Sequence, residues 1–472
     1  MLFSSIVFIF YFLPVMLGIY YFLQFSRPLQ NLFLFFASLL FYAWAQPKFV
    51  VLLLFSIVVN YGIGLLIDKA KNPKRRKLWL ITGVILNILY LGYFKYTYFI
   101  LRNVDSSGYL ISLLPAIVLP LGISFYTFQA ISYVVDVYRK DAPVQKNPLS
   151  LGLYIALFPQ LISGPIVRYT LMAEQLYNRK ETLRMFSVGF CRFIKGLGKK
   201  LFLANTMGIV ADRIFAMNSE GLMPMSLAFL GSVSYSLQIF FDFASYSDMA
   251  IGLSYMLGFK VPENFNYPYI SKSVTEFWRR WHMTLGDWFK NYVYFPLGGS
   301  RVKNTDILIR NLLIVWLLTG IWHGAEWTFI IWGLFNFLCI TIEKLFGWTE
   351  KKNIAVIQHV YMFFVIIFSW TLFRVETLTL AGRYFQSMFG AAGFWSDYTW
   401  MFLSEYGIYY VLCLIFCMPI SRRLNTMLIQ KTYKNWGLVV MGCYPFFMLI
   451  IFIISLSFLI KGTYSPFIYF KF

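Results

Sequence analysis

The chain has 472 residues, of which 59% are hydrophobic and only 13% charged, with a mean hydropathy of +0.65. Soluble proteins carry roughly 45–50% apolar and about 25% charged residues, so a soluble enzyme, a disordered chain and a single-anchor protein are excluded. Lys and Arg number 41 against 20 Asp and Glu, a net charge of +21. No soluble stretch is long enough for a nucleic-acid module, so the surplus reads as basic cytoplasmic loops.

Along the chain, the opening MLFSSIVFIFYFLP lacks a basic leader and an A-x-A cleavage site, and so reads as a retained first span. Apolar runs at 3–23, 31–45 and 48–67 predict three crossings before Lys69–Lys77, where six of nine residues are basic. That run marks the cytoplasmic side and places the N-terminus outside. A span at 78–101 leads out, and one at 110–138 returns to Arg139, Lys140 and Lys146, again basic. Residues 151–167 carry the breakers Pro159, Gly164 and Pro165 within FPQLISGPIVRY, which predicts a re-entrant or discontinuous helix. Residues 185–209 mix Arg192, Lys195, Lys199 and Lys200 with apolar positions, as an interfacial helix does. A helical pair follows at 224–258, then a tryptophan-rich amphipathic cytoplasmic segment over 260–306. Later spans fall near 307–321, 325–346, 354–373, 406–421 and 438–460, leaving the tail GTYSPFIYFKF outside. The whole reads as an all-α polytopic membrane protein of about 10–13 membrane helices, one integral domain over residues 1–472.

Of the residues able to carry chemistry, histidine is the scarcest: His282, His323 and His359. His323 lies in LLTGIWHGAEW, 13 residues past Arg310, which is about 20 Å along a helix. Lys344 lies 21 residues further on, so the imidazole is expected deep in the hydrocarbon layer, bracketed by Gly320 and Gly324. An ionisable residue at that depth points to function, and its neutral ring is the form able to take a proton from a hydroxyl. A packing histidine in a Trp-lined helix is the structural alternative. His282 lies in SVTEFWRRWHMTLGDWFK. There Ser273 and Glu276 form a capping box, and Phe277, Trp281, Leu285 and Trp288 form one apolar stripe of an interfacial helix. His282 is either part of a site at the cytoplasmic mouth or incidental to that helix. His359 opens a span and is given no role.

Asp242 and Asp248, in FFDFASYSDMAIG, lie within or at the bend of a membrane pair. They are structural caps, cavity-lining groups or members of a proton path. Trp322 and Glu326, flanking His323, are further candidates for lining a tunnel or cavity. The five cysteines form no C-x-x-C pair, the histidines lack metal-ligand spacing, and no G-x-S-x-G, Walker or G-x-G-x-x-G motif occurs. No metal site or bound cofactor is expected.

At these residues the chain resembles the membrane-bound O-acyltransferases, in particular their alginate O-acetylation branch. The resemblance rests on the opening fourteen residues, LFYAW at 40–44, FPQLISGPIVRY, FDFASYSDMAIGLSYMLGF and, most strongly, FNYPYISKSVTEFWRRWHMTLGDWFKNYVYFPLGGSR followed by LLTGIWHGAEWTFIIWG. It implies a helical bundle around a transmembrane tunnel, with His323 at the site of acyl transfer and His282 as the family's second histidine. It further implies an acetyl group drawn from a cytoplasmic thioester, acetyl-coenzyme A or an acyl carrier protein, and passed towards an extracytoplasmic polysaccharide hydroxyl. An SGNH-hydrolase-like partner outside a bacterial plasma membrane would complete the transfer. The C-terminal Phe467-Ile-Tyr469-Phe-Lys-Phe472 is similar to a motif of the D-alanylation systems whose tyrosine accepts the acyl group. This makes Tyr469 a candidate relay, with an aromatic membrane anchor as the alternative. D-alanyl transfer to teichoic acid and a transporter or flippase are the competing functions.

Overall fold

The computed structural model describes residues 1–105, 107–302, 304–348, 354–429, 434–461 and 467. Its regular elements are helical, and among the described residues ten helices are long and apolar enough to cross a membrane. The chain divides into two compact units, residues 1–193 with 247–263, and 194–246 with 264–472.

The first unit opens with a π-helical turn, Phe8–Phe12, running into α1 (Leu13–Phe22), then α2 (Arg27–Ala45), α3 (Val50–Lys69) and the long α4 (Pro73–Val104). Pro73 starts α4 where a missing N–H costs nothing, and the Asn72 side chain accepts from the Lys74 amide. Large side chains such as Val51, Phe55 and Val58 on α3 and Ile88 and Leu89 on α4 are exposed, as lipid-facing residues must be. Asn60 and Asn87 join α3 to α4 by reciprocal amide hydrogen bonds of 3.1 and 2.7 Å, the polar link that helices in lipid use where apolar burial gives no driving force.

The span expected over 110–138 is only partly helical: the ordered helix is α5 (Ile123–Arg139), preceded by a loop through Pro115 and Pro120. Two prolines within six residues remove backbone donors that a continuous helix would need. The expected discontinuity over 151–167 is present. Here α6 (Pro148–Ala156) ends, a single turn covers Phe158–Leu161, and the chain then runs without regular structure through Gly164 and Pro165. Gly164 is required there, because a Cβ would lie 2.6 Å from the Pro159 carbonyl oxygen. The whole stretch is buried, so its backbone groups are shielded from lipid.

The chain passes between units within α7 (Leu183–Gly198), which continues through a π-helical stretch, Lys199–Ala204, into α8 (Asn205–Glu220). The helical pair expected at 224–258 is instead one 32-residue helix, α9 (Met225–Met256), which the polar run around Asp242 and Asp248 does not interrupt. Both acids are neutralised where they stand, which removes the need to break the helix.

In the second unit, α10 (Val274–Arg280) and α11 (Met283–Phe289) precede α12 (Thr305–His323) and α13 (Trp327–Leu345). Then come α14 (Ala355–Arg374), α15 (Leu378–Met388), α16 (Asp397–Cys417), α17 (Ile420–Ile429) and α18 (Lys434–Ile460). The pair α12 and α13 forms a tight hairpin. Gly320 faces the Phe329 carbonyl oxygen and Gly333 faces that of Trp316, each leaving only 2.5 Å for an added Cβ. Small residues at facing positions let two membrane helices approach this closely.

Candidate active site

In the second unit the amphipathic stripe read over 273–290 is buried as expected, Phe277, Trp281, Leu285 and Trp288 all lying inside, but it is not one helix. The Ser273 hydroxyl accepts from the Glu276 amide, so the serine half of the capping box forms, while Glu276 reaches one residue further back and accepts from the Lys272 amide at 2.9 Å. The helix nevertheless stops at Arg280. His282 takes a left-handed conformation, φ 43° and ψ 52°, which costs a residue with a Cβ about 1–2 kcal/mol. The loop before it stabilises this break: Asn266 N donates to the Arg280 carbonyl and Met283 N to that of Asn264, each at 2.9 Å.

Asn264 also fixes the imidazole. Its Oδ1 accepts from the Thr284 amide and hydroxyl and lies 3.1 Å from His282 Nδ1, so Nδ1 carries the proton and Nε2 is the basic nitrogen. Burial holds His282 neutral, pushing its pKa down to about 3. The ring stands edge-on to Phe243 at 4.6 Å and lines a cavity of about 400 Å³. Arg279, Lys290 and Lys344 give that cavity its positive charge, with Asp287 opposing, and Trp278, Leu312 and Trp316 form its apolar wall, with Thr319 beside them.

His323 is the last residue of α12, and the helix breaks immediately after it at Gly324, as the bracketing glycines predict. Gly324 is sterically required, since a Cβ would lie 2.1 Å from the Phe329 ring. The imidazole is buried within three aromatic rings, Trp322 and Trp332 at 4.9 Å and Phe373 at 5.2 Å. Trp322 also lies 6.3 Å from His282, so the two histidines flank a single indole. The residues around the 400 Å³ cavity include Thr319, one turn before His323, but not His323 itself.

Other sequence candidates fall elsewhere. Asp242 is buried and ion-paired with the equally buried Lys200, a cation expected at the interface. Asp248 belongs to the first unit, 2.9 Å from Arg192, which also binds Glu263. Glu326 is half-buried at the start of α13, its carbonyl accepting from Phe329 N at 3.2 Å. Tyr469 lies outside the described residues. Phe467, just before it, is buried 4.3 Å from Lys200 Nζ and 5.0 Å from Tyr246.

Three residues that sequence reasoning missed shape the site. Asn264 orients His282. Glu343 of α13 accepts from the Val274 and Thr275 amides and the Thr275 hydroxyl, and so docks the start of α10. Asn336 accepts from the Trp278 indole at 3.0 Å. Glu343 and Asn336 carried a readable signal, polar groups on one face of an apolar span; Asn264, in a polar loop, carried none.

The family pattern of the membrane-bound O-acyltransferases matches residues 143–382, a stretch that contains both histidines. The chain is 43% identical over 398 residues to a probable alginate O-acetylase of Pseudomonas aeruginosa, covering 82% of this chain and 75% of that one. It is 37% identical over 427 residues to a peptidoglycan O-acetyltransferase of Helicobacter pylori, covering 83% and 80%. A teichoic acid D-alanyltransferase of Bacillus subtilis is 32% identical over 246 residues, 49% of this chain and 60% of that one. With ten apolar helices among its described residues and this breadth of similarity, the chain belongs to the membrane-bound O-acyltransferase family and is a multi-pass membrane acyltransferase.

Proposed function

We propose that residues 1–472 act as one integral enzyme of a bacterial plasma membrane. It moves an acetyl group from a cytoplasmic thioester to a hydroxyl of an extracytoplasmic polysaccharide, an alginate-like polymer or a wall glycan. The observation that carries this reading is the pair of buried imidazoles flanking Trp322, one of them on a cavity with a positive rim.

In the proposed step, His323 takes the proton of the attacking hydroxyl as its oxygen bonds to the thioester carbonyl carbon. The carbon–sulfur bond then breaks, and the leaving thiolate receives the proton. A thioester is already activated, so general-base catalysis of about 10²–10⁴-fold and the effective molarity of two held reactants are what the protein must add. His282, neutral and lining the cavity, orients the thioester. Arg279, Lys290 and Lys344 attract the phosphates of coenzyme A or the acidic surface of a carrier protein. Trp322 and Glu326 border the path to His323, whereas Asp242 and Asp248, both in ion pairs, serve the structure.

Tyr469 is proposed as an acyl relay towards an SGNH-like partner, supported by the inward burial of Phe467 two residues earlier. The higher identity and wider coverage of the O-acetylating relatives favour acetyl over D-alanyl transfer. The test is the acetate and alanine released by mild base from the surface polymer of cells carrying wild type or His323→Ala. Loss of acetate alone is expected. Loss of alanine would identify the D-alanyl reaction, and loss of neither would remove His323 from the chemistry.

A further inference from the structure

We propose that the cavity where α3, α4 and α5 end together in the first unit is a binding site for a phosphate group, distinct from the acyl-transfer site. The cavity measures about 1000 Å³, and Lys71, Arg76, Arg139 and Lys140 line it against a single carboxylate, Asp68. Its cations come from two separate stretches of chain, the loop before α4 with that helix's first turn, and the end of α5.

The cations there do more than offset helix termini. Lysine and arginine at the ends of α3 and α5 would be explained by the terminal carbonyls alone. Lys71 and Arg76 are not, because they belong to the loop before α4 and to its first turn, which already carries the positive end of a helix dipole. Arg76 is held in place, Nη2 donating to the Val137 carbonyl at 3.0 Å with the guanidinium 5.4 Å from the Tyr138 ring. Its Nε is buried and makes no hydrogen bond among the described residues. Lys140 sits at φ 66° and ψ 23°, the left-handed position closing α5, where glycine or asparagine is at ease and lysine is not. A strained residue at a site marks what the site retains it for, and here that is the positive charge.

Phosphate is the anion that fits. Two planar guanidiniums and two flexible ammonium groups, brought to one cavity from different elements, match a tetrahedral, multiply charged acceptor. Two sources offer that chemistry. The exposed apolar Leu66, Leu78 and Ile81 lie on the same helices within about a turn or two of the cavity, so a phospholipid headgroup would meet it at the level where the apolar surface ends. A soluble phosphate compound would reach it from water.

The experiment uses the full-length protein in two arms. In the first, the protein is reconstituted with equal phosphatidylglycerol and phosphatidylcholine, and native mass spectrometry counts the lipids retained. In the second, inorganic pyrophosphate is titrated into protein in a zwitterionic detergent. The variant is Lys71→Gln with Lys140→Asn, asparagine being chosen because it tolerates the left-handed conformation. Each removed cation should weaken binding about fivefold, so the double variant should lose about twentyfold or more, with an unchanged unfolding temperature. Selective retention of phosphatidylglycerol identifies a headgroup site and binding of pyrophosphate a soluble one, and either supports the proposal when the double variant loses it. The control Lys71→Arg with Lys140→Arg keeps both charges and must keep binding. Equal retention of the two lipids together with no pyrophosphate binding overturns the proposal. So does binding that survives in the double variant, or binding lost in a folded charge-keeping control.

Discussion

His282 and His323 flank the same indole, yet the chain brings them there by opposite means. His323 needs no special backbone: a regular helix delivers it at its final residue, and aromatic rings on α12, α13 and α14 surround it. His282 is held by polar bonds at a strained break, with Asn264 choosing its tautomer and the neighbouring loop fastening the chain on either side. The difference teaches which device suits which task. An apolar cage fixes where a ring sits, whereas a hydrogen bond to one nitrogen fixes which face of the ring is basic.

If the roles proposed for the two rings are right, their removal should separate. His323→Ala should lower acetyl transfer by about 10²–10⁴-fold with the protein still folded, read as acetate on the polymer and as thioester turnover by purified enzyme. A residual rate above one tenth of wild type would remove His323 from the chemistry. His282→Gln should chiefly raise the KM for the thioester, about tenfold, while kcat changes much less. Equal losses in kcat for both variants would collapse the distinction.

Smaller effects probe the supports. Asn264→Ala strands the buried His282 Nδ1–H and the Thr284 donors. It should cost about 1–3 kcal/mol of stability and reproduce the His282→Gln rise in KM, whereas Asn336→Ala, whose side chain bonds Trp278, Trp332 and Ser369, should leave that KM near wild type. Acid supplies the mildest test. Because burial lowers the His282 pKa to about 3, the folded protein stays unprotonated there while the unfolded chain takes up a proton below about pH 6.5. The stabilisation is complete above that value and is lost as pH falls, by up to about 1.4 kcal/mol per unit down to about pH 3. Unfolding temperatures at pH 7.5 and 5 should therefore diverge less in His282→Gln than in wild type, and an identical drop in both would contradict the assignment.

Much of this architecture was readable because lipid makes strict demands. Most apolar runs of span length and the breakers at 159, 164 and 165 correspond to helices and a break at the expected place, although the run at 110–138 is a regular helix only from Ile123. The break after His323 was legible because two glycines bracket it. The break at His282 was not, since its helical stripe persists in sequence and only a distant loop overrides it. The single helix over Met225–Met256 was misread for a related reason: Asp242 looks like a disruption until Lys200 is found beside it. Local periodicity reports which side chains are buried. It does not report the partners that decide whether the backbone continues.

The carbonyl contacts at Gly320 and Gly333 leave the α12–α13 hairpin no spare width. At both glycines one helix meets the backbone of the other, so any side chain larger than hydrogen must push the two apart. Widening the hairpin by one methyl, as in Gly320→Ala, should shift the His323 ring from its working position even though no reacting group has been altered.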